Sequence, residues 1–181
     1  MIRQFPSKLR FVSRLVLVTA AMGAAFAVPA RAADATSCAA DSTHRALDFW
    51  LGDWAISAVG GGPASTSNVS LDLDKCLVVE RWDGGRGHTG ENIFAYSDGD
   101  QSWHGIFADN QGHVHVFVDG KVAAGSAEFT GPSRGEHGET VLNRITIRRI
   151  SSTQAEQSWE KSSDGGKTWS AQFNLDYTRK P

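Results

Sequence analysis

One turn-like sequence occurs twice in the chain, at residues 97–103 (SDGDQSW) and again at residues 163–169 (SDGGKTW). Each copy reads Ser-Asp-Gly, two further residues, a hydroxyl residue and Trp, and each lies between two stretches that read as strands. An Asp-Gly pair between such stretches is the strongest short signal for a β-hairpin. We therefore expect a fold built from hairpins, in which strands that are neighbours in sequence are also neighbours in the sheet.

About ten strands are predicted, joined mostly by tight turns at Asp98-Gly99, residues 110–112, Asp119-Gly120 and Gly165-Gly166. A short helix is predicted before them, over residues 42–51. An up-and-down series of this length closes most easily into a barrel, because closure removes the exposed sheet edges. We predict an all-β, up-and-down antiparallel barrel of about 8–10 strands, behind a short N-terminal helix. A barrel of this size can hold one small ligand.

The N-terminal 32 residues have the pattern of a signal peptide. A basic region precedes the apolar residues 15–28, and Ala30-Arg31-Ala32 fits the small-x-small pattern of a cleavage site. The apolar run is shorter than a membrane span requires. We therefore predict cleavage after Ala32, a periplasmic or secreted protein, a flexible lead over residues 33–45 and a barrel domain over residues 46–181.

The charge of the mature chain argues against two classes of partner. The predicted signal peptide holds five basic residues and no acidic one, so its removal takes the formal charge from −2 to −7. An acidic surface disfavours binding to nucleic acid or to anionic membranes. The predicted partner is a small-molecule ligand, with no nucleic acid and no membrane after cleavage, and the sequence indicates no oligomeric state.

The chain contains two cysteines, Cys38 and Cys76. An even count in an oxidising compartment favours a disulfide between them. The alternative is lipidation of Cys38, because residues 35–38 (ATSC) faintly resemble a lipobox, although the usual Leu is missing.

Histidine is the residue type with the most candidate chemical roles in this chain. His113 and His115 lie on one face of a predicted strand. A three-residue loop at residues 110–112 would pair Asp109 with His113 and Phe107 with His115, which gives a mixed aromatic and ionisable surface suited to a pocket. A two-residue loop would slip the pairing by one residue and turn the other face toward the histidines, and the sequence leaves both registers open. A His-x-His pair also occurs in metal sites, but the signal is weak, and we predict neither a metal nor a cofactor.

A second histidine site is a glycine-rich loop at residues 84–90, which we expect at the barrel mouth. His88 in this loop would gate a pocket or act as a base, or the loop is a plain surface loop.

Three charged residues, Glu80, Arg144 and Glu160, interrupt strand-like stretches. Alternation along a strand would turn some of them into the lumen, where Arg144 would pair with Glu80 or Glu160, or would hold a carboxylate ligand. The alternative is that all three lie on the outer face.

Several short motifs carry a family resemblance. Residues 49–54 (FWLGDW) resemble the start of calycin-like barrels, in which a Gly-x-Trp lies at the barrel floor. Together with residues 80–82 (ERW), 87–90 (GHTG) and 159–160 (WE), they resemble a group of secreted bacterial lipocalin-like proteins, the DUF1579-like proteins. The resemblance covers most of residues 46–179. It implies a calycin-like barrel and little about chemistry, because the group is poorly characterised.

Three functions follow from these observations. The leading hypothesis is a barrel that binds a small, partly apolar ligand in its lumen. The second is a cofactor-free lyase, isomerase or hydrolase with His88 or His115 as base and Arg144 as anion stabiliser. The third is a structural domain with a filled core. The predicted ligand-contacting residues are Trp54, Glu80, Trp82, Trp103, Phe107, Asp109, His115, Phe117, Arg144 and Trp159.

Overall fold

In a computed structural model of the protein, ten antiparallel strands follow one another in chain order and close into a barrel. The structure describes residues 37–60 and 65–181, so the predicted signal peptide lies outside the described residues. The prediction of an all-β, up-and-down barrel is confirmed. The strands are β1 (Gly52–Ala58), β2 (Ser65–Asp72), β3 (Leu77–Asp83), β4 (Thr89–Ser97), β5 (Ser102–Asp109), β6 (Val114–Ala123), β7 (Ser126–Arg134), β8 (Thr140–Arg149), β9 (Gln154–Ser162) and β10 (Ser170–Arg179). In the described part of the chain, no helix is long and apolar enough to cross a membrane.

The strands form because apolar residues recur at every second position and face the lumen. On β1, Trp54 and Ile56 are buried while their neighbours are exposed, and on β8 Ile145 and Ile147 are buried while Arg144 and Thr146 are only partly buried. The hairpin turns alternate between the two ends of the barrel. One end carries the turns after β2, β4, β6 and β8, and the other carries the turns after β3, β5, β7 and β9.

The predicted helix over residues 42–51 is wrong. Only Asp48–Trp50 forms a short 3₁₀ turn, and the bonds before it also run mainly from residue i to residue i+3. A 3₁₀ geometry repeats every three residues, so it brings His44, Leu47 and Trp50 onto one face, and all three are buried. In an α-helix each step of three residues is offset by about 60°, so His44 and Trp50 would point about 120° apart. Burial at a spacing of three therefore overrides the helical prediction.

This N-terminal segment closes one end of the barrel. The Trp50 ring lies 6.1 Å from the rings of Phe94 and Tyr177. The predicted disulfide is confirmed: Cys38 and Cys76 are bonded and tie the segment to the turn between β2 and β3. A bonded Cys38 has no thiol left for lipidation.

The two copies of the repeated turn both connect strands, but they use different acceptors. In the second copy, Asp164 accepts bonds from the backbone of Lys167 and Thr168 and from the Thr168 hydroxyl. The Thr168 hydroxyl is the main reason that the pKa of Asp164 falls to about 2. In the first copy the hydrogen-bond acceptor is Asp100, two positions later in the repeat. Its pKa also falls to about 2, mainly through a hydrogen bond from the Ser97 side chain. The two copies therefore share their sequence and their position between paired strands, but not their hydrogen bonds.

The predicted turn at Asp119-Gly120 is wrong, because β6 continues to Ala123 and the chain turns after it. Gly120 is instead a packing glycine. A Cβ at this position would lie 2.6 Å from the Cβ of Trp103 and 2.7 Å from the ring of Phe129. The glycine lets these two aromatic side chains lie directly against the β6 backbone.

Gly120→Ala tests this packing. We expect the variant to lose about 1–3 kcal/mol of unfolding free energy in urea denaturation, the usual cost of forcing extra volume into a filled core. Gly99→Ala is the matched control, because its Cβ would meet only Ser97 Oγ, at 3.7 Å. Equal unfolding free energies for the two variants would contradict the packing role.

Candidate functional site

The barrel lumen is packed near the N-terminal segment and hollow toward the other end. The hollow part is a cavity of about 380 Å³. Six of the ten predicted ligand-contacting residues line it, and so does His88. These six are Glu80, Trp82, Phe107, Asp109, His115 and Trp159.

Three of the predicted residues lie in the packed part instead. Trp54, Trp103 and Phe117 are buried, and none of them lines the cavity. Phe117 supports the cavity wall from behind, since its ring lies 5.5 Å from the ring of Trp159.

The prediction that Arg144 contributes to the lumen is wrong. Its neighbours on β8, Asn143 and Ile145, are buried in the barrel, so Arg144 faces outward. Its guanidinium group bonds Glu160 at 2.7 and 2.8 Å and lies 4.0 Å over the ring of Trp169. The predicted pairing of Arg144 with Glu160 is present, but it forms on the outer wall of the barrel. From this position Arg144 can neither contact a ligand in the lumen nor stabilise an anion in the lumen.

The turn between β5 and β6 decides the histidine register. Phe107 pairs with His115, and the Asp109 amide donates to the carbonyl of His113. This is the register of the three-residue loop. It brings Asp109, His113 and His115 to the lumen side of two adjacent strands.

A buried carboxyl group forms the floor of the cavity. Glu80 is 1% exposed and accepts hydrogen bonds from Ser67 Oγ at 2.8 Å, Asn92 Nδ2 at 2.7 Å and Tyr177 Oη at 2.9 Å. It forms no salt bridge within the described part of the chain. Burial raises the pKa of Glu80 more than its hydrogen bonds lower it, and burial beside this carboxyl raises the pKa of Tyr177 as well.

Sequence reasoning missed the polar partners of Glu80. Ser67, Asn92 and Gln157 all occupy lumen-facing positions, each next in the alternation to a buried apolar residue. A polar residue in phase with the apolar side of a strand is the signal that could have found them. Tyr177 was hidden in the same way among the alternating residues of β10.

The rim of the cavity carries a clamp of one carboxylate and two imidazoles. Asp109 Oδ2 lies 3.0 Å from His88 Nε2 and 2.8 Å from His113 Nδ1, and Oδ1 accepts the amides of Gln111 and His113. Burial raises the pKa of Asp109, but the bonds from His113 and His88 outweigh it and hold that pKa well below its usual range. The clamp fixes the 84–90 loop against the turn between β5 and β6.

His115 lies deeper in the aromatic wall. Its ring is 4.8 Å from that of Trp159, and Nδ1 has no protein partner among the described residues. Burial lowers the pKa of His115, with the charges of Lys161 and His113 adding to the effect. The imidazole is therefore neutral at neutral pH, an uncharged polar group on a largely apolar wall.

Residues of metal-ligating type gather at the opposite end of the barrel. Within the described ranges, Asp41, His44 and Asp98 bring three ligand atoms within 4.8 Å of one another. His44 Nδ1 already bonds Asp41 at 3.2 Å, and its ring packs edge-on to Tyr96. His44 also lies 3.9 Å from Asp98, so the N-terminal segment is attached to Tyr96 on β4 and to the turn that follows it.

No family model matches this chain, and no curated protein matches it. The interpretation of the site therefore depends on the geometry of the lumen, and the resemblance to DUF1579-like proteins stays a prediction.

Glu80→Gln tests the buried carboxyl. A raised pKa means that the folded chain holds this proton more tightly than the unfolded chain. Its contribution to stability is therefore full below the ordinary value of 4.5 and declines as pH rises through the raised pKa. As pH rises from 4.5 toward the raised pKa, we expect the unfolding free energy of wild type to fall relative to that of the variant, by up to about 1.4 kcal/mol per pH unit.

The measurement is urea denaturation of both proteins between pH 4 and pH 8. The difference between the two proteins isolates Glu80, because every other titrating group is shared. A difference that stays constant across this range would show that the carboxyl group has an ordinary pKa.

Proposed function

We propose that the protein binds one small, partly apolar molecule in the lumen of its barrel. The observation that carries this proposal is the cavity of about 380 Å³, which joins an aromatic wall to a buried polar floor. Small-molecule sites in proteins have this volume and this composition: mainly apolar lining with a few fixed polar groups that orient the ligand.

The aromatic wall is held in place before any ligand arrives. The indole of Trp159 donates to Asn143 Oδ1 at 3.2 Å, and its ring contacts those of Phe107 at 5.4 Å and Phe173 at 5.8 Å. Asn143 is held in turn by a bond to Ser133. A wall fixed in this way loses little side-chain entropy when a ligand binds.

The polar floor argues against a purely structural domain. Glu80, Asn92 and Gln157 are each at most 5% exposed. Burying such groups costs free energy that leucine or phenylalanine at the same positions would not. A filled core would be more stable with apolar residues at these positions, whereas a ligand site needs polar groups to orient the ligand.

We also propose that the protein acts outside the cytoplasm and belongs with the lipocalin-like, DUF1579-like proteins. The Cys38–Cys76 disulfide supports an oxidising compartment. The signal-peptide pattern in the sequence agrees with this location.

A second candidate function, a cofactor-free lyase, isomerase or hydrolase, is favoured by the clamp at the rim. Because Asp109 engages Nδ1 of His113, the other ring nitrogen is left to take a proton from a substrate. Lys161, which lines the cavity, would replace Arg144 as the cation. Mass spectrometry of ligand recovered after incubation separates the two functions, because a binding protein returns its ligand chemically unchanged.

Leu175→Trp tests the lumen as the binding site. Leu175 lines the cavity on β10, so a tryptophan there would fill it, whereas Asn174→Trp on the same strand is exposed and serves as the control. We expect the neutral apolar dye N-phenyl-1-naphthylamine to bind wild type and the control alike, and the lumen variant at least about tenfold more weakly. Equal fluorescence titrations for all three proteins would place binding outside the lumen.

A further inference from the structure

Two buried amide side chains in the cavity each leave one polar atom without a hydrogen-bond partner among the described residues. Asn92 donates from Nδ2 to Glu80, and its Oδ1 has no partner among the described residues. Gln157 Oε1 lies 3.2 Å from the Tyr177 hydroxyl, and its Nε2 has no partner there either. Both residues line the cavity, and they are 5% and 4% exposed.

The two unpaired atoms have opposite character. Asn92 Oδ1 is an acceptor and Gln157 Nε2 is a donor. Buried polar atoms in native proteins are almost always paired, so an unpaired acceptor and an unpaired donor in one cavity require a common explanation. One ligand group that both donates and accepts would satisfy both.

We propose that the ligand binds with a neutral donor–acceptor group, a carboxamide or lactam, hydrogen-bonded to Asn92 Oδ1 and Gln157 Nε2 at the cavity floor. This inference rests on the proposed function, because it names the ligand class for the same lumen. The remainder of the ligand is an apolar or aromatic body that packs against Trp159 and Phe107.

Charged groups fit the same floor less well. An anionic ligand group at the floor would lie beside the buried carboxyl group of Glu80, where no basic side chain of the described residues pairs with Glu80 or would neutralise the ligand. An ammonium group would satisfy Asn92 Oδ1 but would turn a cation toward the Nε2 donor of Gln157. A purely apolar ligand would leave both polar atoms unpaired and desolvated.

The test compares four single-ring probes: benzamide, ethylbenzene, benzylamine and benzoate. Their rings are alike, so differences in affinity report the polar group. Isothermal titration and quenching of tryptophan fluorescence measure binding to the full protein. We expect benzamide to bind at least about tenfold more tightly than ethylbenzene, and benzylamine and benzoate to bind more weakly than benzamide.

Gln157→Met removes the donor while keeping a side chain of similar length. We expect the affinity ratio of benzamide to ethylbenzene to fall from tenfold or more to about twofold. Gln154→Met is the matched control, since Gln154 is exposed on the same strand and outside the cavity, and it keeps the wild-type ratio.

A nuclear magnetic resonance readout keeps the inference testable if the variant folds poorly. The side-chain amide signal of Gln157, assigned in wild type by triple-resonance experiments, should shift on adding benzamide and should move little with ethylbenzene. Thermal unfolding of each variant shows whether its titration reports on a folded protein.

The outcomes separate the inference from the proposed function. Ethylbenzene equal to benzamide, benzylamine or benzoate as the tightest probe, or an unmoved Gln157 signal overturns the inference and leaves a lumen site of another specificity. Failure of all four probes and of the naphthylamine dye to bind wild type overturns the proposed function, and the inference with it.

Discussion

A carboxyl group inside the barrel, on Glu80, accepts hydrogen bonds from side chains on three other strands, and no basic residue in the described part of the chain neutralises it. This arrangement constrains the register of β2, β3, β4 and β10 together. A slip of one residue on β2, β4 or β10 would turn a donor outward and leave the carboxyl group buried with fewer partners, and a slip on β3 would turn the carboxyl group itself outward.

The two ends of the barrel differ in structure, because one is closed and the other borders the cavity. At one end, the N-terminal segment and the Cys38–Cys76 disulfide close the lumen around Trp50. At the other end, Asp109 holds two histidines at the rim, and the cavity opens between them and the aromatic wall. Rigidity at the closed end and fixed polar groups at the floor prepare the open half to receive a ligand.

The repeated Ser-Asp-Gly turns identified the hairpin architecture, because turn chemistry and strand alternation are local properties that the sequence carries directly. The histidine positions depend on pairing register, which the sequence leaves open. Arg144 was assigned to the lumen although alternation with its buried β8 neighbours turns it outward, because one of those neighbours, Asn143, is polar and interrupts the apolar pattern. Asp119-Gly120 has the composition of a turn, but aromatic packing across strands makes it part of β6. Asn92 and Gln157 acquire meaning only beside Glu80 and Tyr177, which are distant in sequence.

Native mass spectrometry of the protein isolated from its own cells tests the central claim most directly. The claim is that the unfilled half of the lumen, with its polar floor, exists to hold a molecule. The account predicts a one-to-one complex whose extra mass is lost on unfolding and belongs to a small uncharged organic compound. A spectrum that contains only the bare chain, recorded under conditions that preserve the folded barrel, would contradict it.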